Sequence, residues 1–388
     1  MAVTPFRIAV PDADVDALTA ALGRTRWPDQ IDGAGWDYGT ELGYLQELVG
    51  YWADGFDWRA REDVLNTLPQ HRAEVDAPGF ERFGLHFVHQ PGVGPAPLPL
   101  VLAHGWPSTH FEYHDVVARL ANPGAFGDDP NDAFHVVVPS LPGYGFSDIP
   151  RRRGMTPRVM AAMFVALMRE LGYERFAAAG CDWGAYVTAL LGLDHPDAVV
   201  GIHMGMLNLR APGYQPTDED AAYSARSKAW ARDESGYSTI QGTRPQSLGY
   251  GLMDSPAGLA GWIVEKWRRW SDCAGDIQRL FTRDELLTTI AIYWFTGTIN
   301  SANRLYYESR RDPVRLADGE RVGPPAGFLL ERLVEGPTPN IGPPPRSRAD
   351  AVYDVRRWTV ADRGLHFPAM ENPDLYVDEL RALFRPLR

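Results

Sequence analysis

Gly180-Cys181-Asp182-Trp183-Gly184 places a carboxylate between two glycines, with the apolar run Arg175-Phe-Ala-Ala-Ala179 before it and helix-forming residues after it. Flanking glycines suit a sharp strand-to-helix turn: a side chain at either position would collide across the turn, while the central residue is thrust outward at the helix N-terminus. An aspartate there is ionised near pH 7 and can attack carbon without a base. Its plainer role would be to cap the following helix. His104-Gly105-Trp106-Pro107 follows the apolar run 98–103. A Gly-containing loop after a strand can aim backbone N–H groups at one point, which makes the N–H groups of Trp106 and Trp183 candidate oxyanion donors. His104 itself reads as a hydrogen-bonded loop histidine. In Arg363-Gly364-Leu365-His366-Phe367, His366 is the only histidine after His203, and a chain order of nucleophile, acid, histidine makes it the candidate general base.

The elements that must position these groups follow from the apolar pattern. Residues 1 to about 75 read as helical, with Leu42, Leu45, Leu48, Val49 and Trp52 at amphipathic spacing. From about 83 the pattern turns to buried strands: Leu85-His-Phe-Val-His89, Pro99-Leu-Val-Leu-Ala103 and Phe134-His-Val-Val-Val138, each followed by Gly/Pro punctuation. Helices are expected over 161–171 and 185–193 around a strand at 175–179, so the fold class is α/β with a mostly parallel sheet. Between 209 and 320 the alternation stops and aromatic residues gather on helical stretches, the pattern of an inserted helical cap. The Pro-rich run 336–345 is a connection, 352–360 returns to strand, and a terminal helix begins near Asp374. The expected organisation is an N-terminal helical segment (1–82), a core in two parts (83–208 and 321–388) and a cap (209–320).

The chain has 388 residues, 45% of them hydrophobic, and a net charge of −12, which excludes disorder and fibres. An acidic chain without basic runs would repel phosphate backbones and anionic lipid, so neither nucleic acid nor a membrane is an expected partner. With no signal-peptide pattern at the N-terminus and no spanning run, a cytoplasmic location is expected. Cys181 and Cys273, the only cysteines, are too few for a disulfide framework and lack metal-ligand spacing. His86-x-x-His89 lies in a strand-like run where the two residues face opposite sides, His110-x-x-x-His114 lacks a nearby third ligand, and the phosphate-loop and dinucleotide signatures are missing, so no metal or cofactor is expected. The sequence leaves the oligomeric state open, with a homodimer among the states it allows.

With these motifs the chain resembles the microsomal-type epoxide hydrolases, which are α/β-hydrolases with an N-terminal segment and a helical cap. The resemblance runs through Phe56-Asp-Trp-Arg59, Leu65-Asn-Thr-Leu-Pro-Gln70, His104-Gly-Trp-Pro107 and Asp182-Trp-Gly184. In the cap it continues through Ser235-Gly-Tyr237, Thr243-Arg-Pro-Gln246, Asp254-Ser-Pro256, Glu265-Lys266, Tyr293-Trp-Phe-Thr-Gly-Thr-Ile299 and Arg304-Leu-Tyr306. It implies Asp182 as nucleophile, Tyr237 and Tyr306 as oxirane-binding tyrosines, His366 as the base that activates water, and Glu331 as the acid that orients it. Two departures stand out: Phe328-Leu329 where the family has Phe-Pro, and Gly364-Leu365-His366 where it has Gly-Gly-His. They leave Glu335, Asp350, Asp354 and Asp362 as alternative acids; Asn208 is not an acid and cannot serve unchanged. Only Lys228 and Lys266 are lysines, a bias that resembles actinobacterial epoxide hydrolases of natural-product pathways such as enediyne antibiotic biosynthesis.

The implied reaction converts an apolar, aryl-bearing epoxide and water to a vicinal diol. A carboxylate attacks the strained carbon, phenols with an ordinary pKa of about 10 donate to the oxygen, and the resulting ester is hydrolysed by water. Two other readings use the same residues. A haloalkane dehalogenase would displace halide with the same Asp182, and a non-catalytic binding protein would keep the fold without the chemistry.

Overall fold

The computed structural model describes residues 3–334, 339–363 and 365–388. Among the described residues nine strands form one sheet: β1 (Thr4–Pro5), β2 (Gln70–Ala77), β3 (Phe80–Gln90), β4 (Leu98–Ala103), β5 (Phe134–Pro139), β6 (Phe176–Gly180), β7 (Val199–Met204), β8 (Pro325–Leu330) and β9 (Asp354–Val360). Their order is β1-β2-β3-β5-β4-β6-β7-β8-β9; β1, β2 and β3 pair antiparallel with their neighbours, and every pairing from β5 to β9 is parallel. This is the mostly parallel sheet expected from the apolar pattern, with an antiparallel edge formed by β1, β2 and β3. Successive side chains of the central strands face opposite cores: Val101, Val137 and Ala178 enter one, while Leu100, Leu102, Val136, Ala177 and Ala179 enter the other.

Helices cover both faces. The N-terminal segment carries α1 (Asp12–Leu22), α2 (Leu42–Asp54) and α3 (Trp58–Leu65), and the core carries α4 (His114–Ala121), α5 (Pro157–Glu170) and α6 (Trp183–Asp194). Between β7 and β8 lie six helices: α7 (Asp218–Glu234), α8 (Gly236–Thr243), α9 (Pro245–Asp254), α10 (Pro256–Trp270), α11 (Arg283–Thr296) and α12 (Ile299–Arg311). Their ends are written in local chemistry. Thr217 with Asp220 and Thr282 with Glu285 form reciprocal capping boxes on α7 and α11. The chain closes with α13 (Arg346–Asp350), α14 (Pro368–Glu371) and α15 (Pro373–Phe384).

The reading of residues 1–75 as wholly helical is corrected by β1 and β2. Gln70–Ala77 buries only Gln70, Ala73 and Val75, too little apolar signal to announce a strand, and its pairing with β3 decides the matter. The hairpin of β2 and β3 also runs across the expected boundary at residue 82. The N-terminal helices clasp the cap: Thr40 Oγ1 donates to Gly261 O (2.6 Å), Tyr51 OH to Asp284 Oδ1 (2.8 Å) and Arg61 Nε to Thr288 Oγ1 (2.9 Å). Core and cap are tied again where Tyr293 OH donates to Ser108 O (2.7 Å) and Trp267 stacks on Phe367 at 4.3 Å. Among the described residues no helix is long and apolar enough to cross a membrane.

Candidate active site

Asp182 stands between β6 and α6 with φ 50° and ψ −124°, a conformation that costs a non-glycine residue about 1–3 kcal/mol. The turn is sharp enough that a Cβ on Gly184 would lie 1.8 Å from Ala103 O, and one on Gly105 would lie 2.3 Å from Asp182 Cβ. Those two positions admit no side chain. Trp106 N–H donates to Asp182 Oδ1 (2.9 Å), and Trp183 N–H also supports the carboxylate. Burial raises the Asp182 pKa above the ordinary aspartate value, against the opposing pull of His366 and these two N–H groups. His104 fixes the loop, with Nδ1 3.0 Å from Gly105 O and Nε2 accepting from Leu141 N–H (3.1 Å), so both ring nitrogens are occupied.

The cap brings two phenols to this carboxylate. Tyr237, near the start of α8, stacks on Trp106 with ring centres 5.3 Å apart; Tyr306, on α12, stands edge-on to Trp183 at 4.8 Å and to Tyr237 at 5.8 Å. Burial, followed by the charge of Asp182, holds Tyr237 above the ordinary tyrosine pKa, and burial, the Tyr237 phenol and Asp182 do the same to Tyr306. Both remain proton donors near neutrality. Lys266 Nζ sits 4.9 Å over the Tyr237 ring, and its side chain is buried beside Glu265.

His366 follows β9 in the chain. Its Nε2 is 3.9 Å from Asp182 Oδ2, and its Nδ1 is 3.5 Å from Glu331 Oε1 at the end of β8. Burial pulls its pKa down. Glu331 and the charge of Asp182 outweigh that pull, so the imidazole lies above its ordinary value. Of the alternative acids, Asp350 pairs with Arg346 (3.4 Å) and Asp354 with Arg356 (2.8 Å); Glu335, like Gly364, lies outside the described residues. It is Glu331 that the structure brings to His366.

Sequence reading missed the groups that hold this pair. Asn340 Nδ2 donates to Glu331 Oε2 (2.8 Å) and to Arg332 O (2.9 Å), while its Oδ1 accepts from Val334 N–H and Gly342 N–H. Arg269 of α10 donates to Pro339 O (2.7 Å) and pairs with Glu234 (2.6 Å), pinning the same loop. Glu371 accepts from Phe367 N–H (2.8 Å) on one oxygen and from the cap's Asp272 N–H (3.3 Å) on the other; burial pushes its pKa up to about 8. Only the lone Asn in a Pro/Gly-rich stretch shortly after the acid could have signalled Asn340. His86, singled out for its spacing to His89, is a core histidine whose ring bonds Gln70 (2.6 Å) and Ser140 (2.9 Å).

Asp182, Tyr237, Glu331, His366 and Trp270 border one cavity of about 220 Å³. A second, of about 550 Å³, is bordered by Asp182, Tyr237, Tyr306 and Trp183. Two wider clefts of about 620 Å³ each run along the Arg151–Arg152 loop, and neither is lined by Asp182. The combination of a buried carboxylate, two phenols and a histidine–carboxylate pair suits alkylation of Asp182 followed by hydrolysis of the ester.

Comparison with known proteins gives the family of the chain. Residues 3–113 match the family described as epoxide hydrolase N terminus, and residues 99–232 match the alpha/beta hydrolase fold. The whole chain is 38% identical to a Stigmatella aurantiaca protein provisionally named an epoxide hydrolase, over 86% of that protein. It is 30% identical to epoxide hydrolase 1 of Sus scrofa over 98% of this chain and 88% of that one. The solved epoxide hydrolase of Aspergillus niger superposes over all of this chain and 97% of its own with a TM-score of 0.85 at 26% identity. The juvenile hormone epoxide hydrolase of Bombyx mori does so over 100% and 94% with a TM-score of 0.83, also at 26% identity.

Proposed function

The chain belongs to the microsomal-type epoxide hydrolases of the α/β-hydrolase superfamily, and from that membership we propose that it hydrolyses an apolar, aryl-bearing epoxide to a vicinal diol through an ester on Asp182. One observation carries the reading: a carboxylate held by backbone N–H, two phenols and a histidine–carboxylate pair border two cavities that share Asp182, Met206 and Tyr237 in their lining.

A carboxylate oxygen of Asp182 attacks an oxirane carbon, the carbon–oxygen bond breaks, and its electron pair moves to the ring oxygen. Tyr237 and Tyr306 donate to that oxygen as it becomes an alkoxide. In the second step His366, with Nδ1–H directed at Glu331, takes a proton from water on Nε2, and the hydroxide adds to Asp182 Cγ. The N–H groups of Trp106 and Trp183 receive the negative charge of the tetrahedral intermediate. Collapse breaks the bond from Cγ to the product oxygen, which takes the proton back from His366, and the diol leaves. Loss of the remaining carboxyl proton to the tyrosinate formed in the first step restores the carboxylate and the phenol. In this reading residues 1–82 clasp the cap, residues 209–320 deliver the phenols, and the two core parts supply Asp182, Glu331 and His366. The phenols separate epoxide opening from halide displacement, because a departing halide needs no proton.

A single turnover of styrene oxide in ¹⁸O-labelled water tests the scheme. The label is expected in the Asp182 carboxylate, and the first diol should be unlabelled because it takes its oxygen from the enzyme. Label in that first diol would mean direct attack by water and would overturn the ester.

A further inference from the structure

Lys266 is one of two lysines in the chain, and it is buried. It lies on α10 four residues before Trp270, a spacing that puts both side chains on one face of the helix. Its Nζ stands 4.9 Å over the Tyr237 ring and 5.9 Å over that of Trp270, and it pairs with the neighbouring Glu265. Taking an ammonium out of water is costly, and the pairing must offset that cost. The steps assigned to Asp182, His366 and the two tyrosines give this buried charge nothing to do.

The two phenols are unlike in this respect. Tyr237 lies nearly parallel to Trp106, at 9° and 5.3 Å, with the ammonium over its ring. Tyr306 stands edge-on to Trp106, Trp183 and Tyr237, and among the described residues no lysine or arginine lies over its ring. A neutral ring draws a cation through the quadrupole of its face, whereas a phenolate carries a full negative charge and draws it far more strongly. The attraction therefore grows as the phenolic proton leaves, and it favours the transition state over the bound epoxide. Burial and then the charge of Asp182 hold Tyr237 against ionisation, with Glu265 a smaller opposing charge. Alkylation removes the charge of Asp182 at the moment the oxirane oxygen needs its proton.

We propose that Lys266 is a positioning residue for proton transfer: its charge selects Tyr237 as the phenol that gives its proton to the opening oxirane and holds the phenolate that results, while Tyr306 keeps its proton and only hydrogen-bonds the oxygen. This rests on the reading of Asp182 and the two tyrosines as the oxirane site. The proton passes from Tyr237 Oη to the ring oxygen as the carbon–oxygen bond breaks, and the phenolate is reprotonated when the ester is hydrolysed.

The test uses saturating styrene oxide and enzymes that all carry His366→Gln, so that the ester accumulates and its rate of formation is read by rapid quench and intact mass. Lys266→Met and Lys266→Gln are expected to form ester about tenfold more slowly, the order of the attraction between a shielded cation and an aromatic face, whereas Lys266→Arg stays within about threefold. A packing role would instead make the rate follow side-chain shape rather than charge. The Lys266→Met loss should persist in Tyr306→Phe and vanish in Tyr237→Phe, because only the first retains the phenol that ionises. A first-order rate constant at saturation does not depend on the amount of folded protein, so partial misfolding leaves the comparison intact. Equal rates in Lys266→Met and Lys266→Arg, or a Lys266→Met loss undiminished in Tyr237→Phe, overturn the role of Lys266 and leave the Asp182 ester standing. Absence of ester on Asp182 with Lys266 intact overturns the underlying epoxide reading together with this one.

Discussion

Asp182 and His366 are held by different means. Around Asp182 the restraints are backbone: a strand end, two positions where no Cβ fits, and N–H groups fixed by β4 and α6. Around His366 they are side chains borrowed from several segments. Glu331 comes from the end of β8, Asn340 from the loop after it, Glu371 from α14, and Trp270, at 4.8 Å from the imidazole, from the cap. The Asp182 corner is rigid by construction, whereas the His366 corner is an assembly whose parts can be removed one at a time. The first half-reaction should therefore fail abruptly under mutation and the second by degrees.

The largest effect separates the two corners outright. Asp182→Ala is expected to remove diol formation by a factor on the order of 10⁴ or more with the circular dichroism of the fold retained, since it removes the carboxylate that sits at the Trp106 and Trp183 N–H groups. His366→Gln is expected to leave alkylation intact and to slow ester hydrolysis roughly 10²–10⁴-fold, so that intact-mass spectra show protein heavier by one substrate. Turnover retained in Asp182→Ala, or no ester in a folded His366→Gln, would collapse the distinction.

Next come the phenols, which the cap delivers to the rigid corner. Tyr237→Phe and Tyr306→Phe should each slow ester formation about 10²–10³-fold and leave it detectable, and the double variant should be far slower than either, as read by pre-steady-state alkylation. Unchanged alkylation in the double variant would remove the phenols from the chemistry and bring halide displacement back into consideration.

Smaller effects belong to the assembled corner. Glu331→Gln keeps a hydrogen-bond acceptor but loses the charge, and should slow ester hydrolysis without blocking alkylation. Asn340→Ala should act in the same sense and more weakly, by roughly tenfold, because it removes one hydrogen bond to a charged group. Full activity in Glu331→Gln would send the search to Asp362 and Glu335.

What the sequence made legible divides along the same line. The turn at Asp182 and the loop after β4 are set by contacts between residues close to strand ends, and such constraints leave glycines at fixed spacing, so Asp182, Trp106 and Trp183 could be singled out directly from the chain. Glu331 could be reached only through resemblance to a family, because the whole cap lies between it and Asp182 and nothing local marks it. Asn340 and Glu371 carry no type or spacing that distinguishes them from a loop amide and a surface acid; their roles exist only once β8, the loop after it and α14 are packed together. In the same way β2 shows too few apolar residues to be read as a strand before β3 is beside it.

The smallest effect expected is a displacement in pH dependence, and it tests whether the two corners communicate. In the free enzyme His366 titrates above its ordinary value: burial opposes the charge, but Glu331 and the negative charge of Asp182 prevail. Esterification makes Asp182 neutral and removes one of the groups that favour the imidazolium, so the His366 midpoint must fall in the ester. Hydrolysis needs neutral His366 and therefore rises with pH through that lowered midpoint before levelling. The expected result is a hydrolysis phase, followed in single turnover, whose acid limb lies at lower pH than the His366 titration of the free enzyme followed by NMR. The direction favours catalysis, because forming the ester itself makes the base more available for the step that follows. Coincident midpoints would show that the charge of Asp182 does not reach His366, and the 3.9 Å between Nε2 and Oδ2 would then be proximity without coupling.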